Sequence, residues 1–218
     1  MKNDKDLRSD VVAELDWEPS IHAQDVGVSV LDGIVTLTGN VPSYSEKWAA
    51  EKAVKRVSGV RGVAEELKVN LSADHQRNDT DIAKSLANAL DWNVSVPSGK
   101  VKTTVENGWV TLSGDVEWNY QSDAAYKAIR YLFGVKGVTN QIKIKSLSVS
   151  TTVVRSKIED ALKRGMTTES DGIKIEASGG KVTLHGKVHS WDEHDEVTRA
   201  AWSAPGVNMV ENDLVVNY

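Results

Sequence analysis

Gly33-Ile34-Val35-Thr36-Leu37-Thr38-Gly39 recurs twice, as Gly108-Trp109-Val110-Thr111-Leu112-Ser113-Gly114 and as Gly180-Lys181-Val182-Thr183-Leu184-His185-Gly186. Each heptapeptide alternates as a half-buried strand does. Val35 and Leu37, Val110 and Leu112, and Val182 and Leu184 take one face, and hydroxyls or His185 take the other. Just before each stand Asp32-Gly33, Asn107-Gly108 and Gly179-Gly180, pairs that tolerate positive φ and fit two-residue hairpin turns. Gly39, Gly114 and Gly186 fall on the inward side, where a glycine predicts a bulge or a helix pressed against the strand. Twenty residues further on stand Gly59, Gly134 and Gly206, opening Gly-Val-Arg-Gly-Val, Gly-Val-Lys-Gly-Val and Gly-Val-Asn-Met-Val. These read as glycines that end a helix in the left-handed conformation.

Sliding the sequence by 75 and then 72 positions aligns Leu7–Asn70, Ile82–Lys145 and Val154–Asn217 without a gap. A first helix carries Leu7, Val11 and Leu15, then Ile82, Leu86 and Leu90, then Val154, Ile158 and Leu162, an i, i+4, i+8 stripe with one buried face. A first strand alternates at Val26, Val28 and Val30, at Val101, Thr103 and Val105, and at Ile173, Ile175 and Ala177. The second helix is alanine-rich on one side, as at Ala49, Ala50 and Ala53, and the last strand turns Leu67, Ile142 and Leu214 inward. The expected fold is α+β. It has three tandem α-β-β-α-β sandwiches, at 1–71, 79–146 and 150–218, each with two helices on one face of a three-stranded sheet. The linkers near Ser72 to Asn78 and Ser146 to Val149 are short; the first is polar and unpatterned. A unit of this size buries only about 60 % of its unfolded surface, so contacts between units or chains are expected to help.

These features resemble the BON domain, named for bacterial osmotic-stress and nodulation proteins. The resemblance rests on the first helix, the Gly-x-Val-Thr-Leu-x-Gly strand and the Gly-Val-x-x-Val step after the second helix, present in order in all three copies. It implies the same sandwich fold and a non-enzymatic protein associated with phospholipid surfaces, envelope integrity or osmotic stress. It also implies an alternative, a sensor of potassium or another small ion; the small, marginal units and exposed sheet edges suggest another, a cytoplasmic self-associating scaffold. The partner that the resemblance implies is a phospholipid surface; the size of the units and the tryptophans leave a protein partner, including a homo-oligomer, as the alternative. No cofactor and no catalytic residue follow from it.

Composition narrows this further. Among 218 residues there is no cysteine, which excludes disulfides, thiol catalysis and cysteine-based metal centres. The net charge of −5 excludes a strongly basic nucleic-acid binder. No long apolar run predicts a transmembrane segment, and no Gly-rich phosphate loop or nucleophile elbow is present. No apolar stretch follows the charged start, so the protein is expected in the cytoplasm if Met1 is the natural start, and in the periplasm if a leader was removed. The first and third units are acidic, with 8 basic against 12 acidic residues in 4–71 and 8 against 11 in 150–218. The middle unit has 8 against 7 in 79–145. If one unit touches anionic lipid, it is the middle one, with Arg130 and Tyr131 read as an exposed pair beside the basic Lys143 and Lys145.

Two residue groups invite a functional reading. His185, His189 and His194 stand among Asp192, Glu193 and Asp195, a donor set suited to zinc or nickel. The plainer reading, a solvated helix start, is favoured because Thr38 and Ser113 take the place of His185 in the other units. Seven tryptophans against one phenylalanine is unusual. Packing at helix ends and between units is the expected role. The alternative is an aromatic contact surface for a membrane or partner, formed by Trp92, Trp118 and Trp191 with Arg130 and Tyr131.

Overall fold

The computed structural model describes residues 2–145, 150–165 and 172–216. The Ser146–Val149 linker lies outside them. Unit one runs α1 (Asp4–Trp17), β1 (Val26–Leu31), β2 (Ile34–Val41), α2 (Tyr44–Arg56), β3 (Gly62–Val69). Unit two runs α3 (Asp79–Asp91), β4 (Val101–Glu106), β5 (Trp109–Val116), α4 (Asn119–Ile129), β6 (Gly137–Ile144). Unit three runs α5 (Thr151–Gly165), β7 (Lys174–Ser178), β8 (Lys181–Val188), α6 (Trp191–Trp202), β9 (Met209–Val216). The three-fold α-β-β-α-β reading is the observed architecture.

Each sheet places its second strand in the centre, antiparallel to the first and parallel to the third. The hairpin turn makes the antiparallel pair, and the second helix is the crossover that a parallel pair requires. Both helices cover one sheet face, giving three separate cores built on Leu7, Val11, Val35 and Leu37, on Ile82, Leu86, Val110 and Leu112, and on Ile158, Val182 and Leu184. Burying each of these side chains contributes about 1.5–3 kcal/mol.

The turns explain the repeated glycines. All six residues of the three hairpin pairs have positive φ, including Asp32 at 51° and Asn107 at 52°. Asp4 and Asp79, in the first turns of α1 and α3, reach across and hold these turns. The Asn107 and Gly108 amides donate to Asp79 at 2.8 and 2.9 Å, and the Asp32 and Gly33 amides donate to Asp4 at 2.9 and 3.0 Å. Thr151 occupies the equivalent position in unit three. Gly114 lies opposite neither a bulge nor a helix, contrary to expectation. Its ladder is continuous, and an added Cβ at its φ of +130° would sit 2.0 Å from the Lys100 carbonyl oxygen. Gly39 and Gly186 meet the Asp25 and Gly172 carbonyls in the same way. Nor do Gly59, Gly134 and Gly206 cap the second helices, which end earlier. They occupy the third position of the next turn, closed by the Val60, Val135 and Val207 amides donating to Val57, Leu132 and Ala204. Positive φ at that position calls for glycine.

The first linker is not featureless. It forms a short 3-10 turn, Ala73–His75, and docks on unit two, with His75 stacked on Phe133 at 4.5 Å and Arg77 over the same ring at 5.5 Å.

Candidate binding surfaces

The second helices of the three units meet head to tail. The start of α2 packs on the end of α4: the Tyr44 and Tyr126 hydroxyls share a hydrogen bond of 2.8 Å, and Tyr44 packs against the core of unit two. The Arg130 guanidinium lies over the Trp48 ring at 3.6 Å. Arg130 is only 9 % exposed, so the reading of Arg130 and Tyr131 as an exposed pair is corrected: Tyr131 is 59 % exposed, and Arg130 is a wedge between units. Arg130 donates to the Tyr131 hydroxyl at 2.9 Å, whereas its Nε has no hydrogen-bond partner among the described residues. Two ring faces compensate its charge in place of a carboxylate. Burial, and then the bond with Tyr126, hold the Tyr44 hydroxyl well above its ordinary pKa.

The start of α6 packs in the same sense on the end of α2. The Trp191 indole N–H donates to the Val60 carbonyl at 2.8 Å, and the Lys55 ammonium sits 5.5 Å from the Trp191 ring centre. Asp195 is held below its ordinary pKa, first by the hydrogen bond with His194 and further by Lys55 and Lys52 of unit one.

The remaining pairing is open. Trp118, Asn119, Tyr120 and Asp123 at the start of α4 face Thr198, Arg199, Trp202 and Ser203 at the end of α6 across a cleft of about 700 Å³, with Asp195 on its wall. Partial burial raises the pKa of the Asp123 carboxylate against the lowering pull of Lys127; the residue is exposed, and its carboxylate accepts from the Asn119 side-chain amide at 3.2 Å.

Two tryptophans escape packing altogether. Trp17 and Trp92, equivalent residues at the ends of the first helices, are 82 % and 88 % exposed, so the expected packing at helix ends fails for both. Each directly follows the last core leucine's turn, and the chain then bends away without covering the ring. Val94, two residues after Trp92, is fully exposed. Because Asp79 at the start of α3 holds the Asn107-Gly108 turn, the other end of α3, with Trp92, lies toward the start of β4, where Lys100, Lys102 and Lys143 stand, all exposed. Lys145 is there too, paired with Asp115 at 2.7 Å. Among the tryptophans expected at a surface, Trp118 is 37 % exposed at the cleft, and Trp191 is half-buried at a junction.

The profile of the BON domain matches residues 3–70, 78–146 and 150–218. This chain belongs to the BON family. It is 32 % identical over 147 residues to osmotically-inducible protein Y of Escherichia coli (strain K12), covering 66 % of this chain and 73 % of that relative. Among solved structures, CdsD, a structural protein of the type III secretion system of Chlamydia trachomatis, is 17 % identical. That match has a TM-score of 0.27 and covers 97 % of this chain and 92 % of that one. The periplasmic domain of PrgH, a type III secretion inner-membrane protein from S. typhimurium, is 11 % identical. Its TM-score is 0.23, over 89 % and 95 %.

The histidines of the third BON unit are not brought together. His185 pairs with Asp213 at 3.3 Å, His189 with Glu193 at 3.2 Å and His194 with Asp195 at 3.1 Å. Among the described residues no three His, Cys, Asp or Glu side chains converge on a point that would hold a metal. Glu193 serves instead as a helix cap, accepting from the His189 amide while its own amide donates to Ser190. No described helix is long and apolar enough to cross a membrane.

Proposed function

We propose that this BON protein is a non-enzymatic protein of bacterial stress physiology that docks peripherally on phospholipid surfaces through one end of its middle unit. The observation that carries this reading is Trp92, 88 % exposed, beside a fully exposed Val94 and on the same end as Lys100, Lys102 and Lys143. An indole prefers the headgroup level of a bilayer, and a lysine close to an anionic surface gains about 1 kcal/mol. Three lysines and one inserted apolar pair give weak, reversible, salt-sensitive binding. Unit one has the matching Trp17, but of unit two's three lysines it keeps only one, Lys68, with Asp25 and Gly27 at the other two positions, so these positions carry no net positive charge. Membership of the BON family and likeness to an osmotically inducible relative support the stress assignment.

Flotation with vesicles tests it. The full chain is expected to float with anionic vesicles at low salt, to be released at high salt, and to ignore neutral vesicles. Failure to float with anionic vesicles at low salt sinks the reading.

A further inference from the structure

The three helix junctions use equivalent positions, and comparing them identifies what the open one lacks. By the sequence offsets, Tyr44, Asn119 and Trp191 begin the second helices, and Lys55, Arg130 and Trp202 stand eleven residues later. In each closed junction a cation from that later position meets an aromatic face near the start of the next helix: Arg130 over Trp48, and Lys55 over Trp191. At the open junction the later position is Trp202, so both walls are aromatic. Trp118 and Tyr120 stand on one side and Trp202 on the other, with Asp123 between them. Arg199, on the cleft wall, is engaged by Glu196 through two of its nitrogens. The cleft therefore offers ring faces and two carboxylates, Asp123 and Asp195, and the nearest other cation acting on Asp123 is Lys127, one turn further along α4. Its volume of about 700 Å³ suits a small molecule.

We infer that the α4–α6 cleft is a binding site for a small organic cation, whose guanidinium or ammonium takes the place that Arg130 and Lys55 fill at the sibling junctions. Its apolar body lies against Trp118 and Trp202, and Asp123 is its counter-ion. Aromatic faces bind such ions because the ring quadrupole attracts a weakly hydrated charge, and the attraction strengthens where water is partly excluded. The site is separate from the Trp92 end, so the two readings stand or fall independently.

Titration calorimetry of the full chain with arginine amide, and with citrulline amide as its uncharged counterpart of like shape, tests the inference. Saturable binding of arginine amide alone is expected. Asp123→Asn is expected to weaken it about tenfold, the scale of one lost charge-assisted contact. Thermal melting of Asp123→Asn should stay close to that of the parent, because Asp123 is exposed and its ionised form gains nothing from folding. Tyr120→Ala, at an exposed rim position, provides a second variant with the same expected direction. The inference is overturned by the absence of saturable heat from arginine amide, by equal binding of citrulline amide, or by binding that neither variant weakens.

Discussion

Replacing Asp79 by alanine removes the carboxylate that holds the second hairpin turn. Two amide donors lose their acceptor, Asn107 at 2.8 Å and Gly108 at 2.9 Å, in a turn whose residues both sit at positive φ. A hydrogen bond to a charged group is worth about 1.5–3 kcal/mol when buried. The Asn107 amide is open to water, which will replace part of what is lost, so each bond counts near or below the low end. Asp79 also lies in the first turn of α3, where a negative charge gains about 0.3–1 kcal/mol from the helix dipole. The expected cost to unit two is about 2 kcal/mol, and for a domain of this size that lowers the melting temperature by about 10 °C. Because the chain has three units, a global melt does not localise the effect; amide exchange by NMR does. In Asp79→Ala the Asn107 and Gly108 amides should exchange faster, while Asp32 and Gly33 of unit one, still held by Asp4, should not change. Thr151 supplies the converse: Thr151→Asp should bring a clamp to the Gly179-Gly180 turn and slow exchange there. Unchanged exchange at Asn107 and Gly108 in Asp79→Ala would refute the reasoning.

Further outcomes follow from the same geometry. Gly114→Ala should destabilise unit two by more than about 3 kcal/mol, because its Cβ meets the Lys100 carbonyl at 2.0 Å in a strained conformation. Gly99→Ala, also at positive φ but facing open space, should cost only the left-handed strain of about 1–2 kcal/mol, and comparative melting decides. The raised pKa of Tyr44 means that the folded state favours the neutral phenol. Its contribution is complete below the ordinary value of 10.0 and is lost as pH rises from there toward the folded value, so alkaline titration should loosen the α2–α4 junction. In Tyr44→Phe that alkaline step should disappear from a phenolate absorbance titration combined with melting; an identical step in the variant would contradict the assignment.

The repeat made the fold legible before any coordinate. Three aligned copies showed which positions are buried in all units, and Asp-Gly, Asn-Gly and Gly-Gly can hardly be anything but tight turns. The glycines after each strand and helix were legible as constraints but not in kind, because a carbonyl brought close by β-pairing leaves no sequence signal distinct from a bulge. The clamp was half visible: Asp4 and Asp79 are equivalent acids, yet a first-turn acid reads as dipole compensation, and its reach to a turn 28 residues away exists only in three dimensions. The junctions were the least legible. Arg130 at a helix end reads as solvated, and its burial comes from a ring on another unit, which no periodicity within its own helix records. Trp17 and Trp92 misled for the opposite reason. A tryptophan after an apolar stripe is usually drawn into the core, but here the stripe ends one residue pair earlier and the loop leaves the ring outside.

Docking on lipid through the middle unit's tryptophan end is tested most directly by brominated-lipid quenching of tryptophan fluorescence. With anionic vesicles carrying brominated acyl chains, quenching is expected in the parent chain and in Trp17→Phe, and its loss in Trp92→Phe. Quenching that persists undiminished in Trp92→Phe, or that vanishes only in Trp17→Phe, would contradict it.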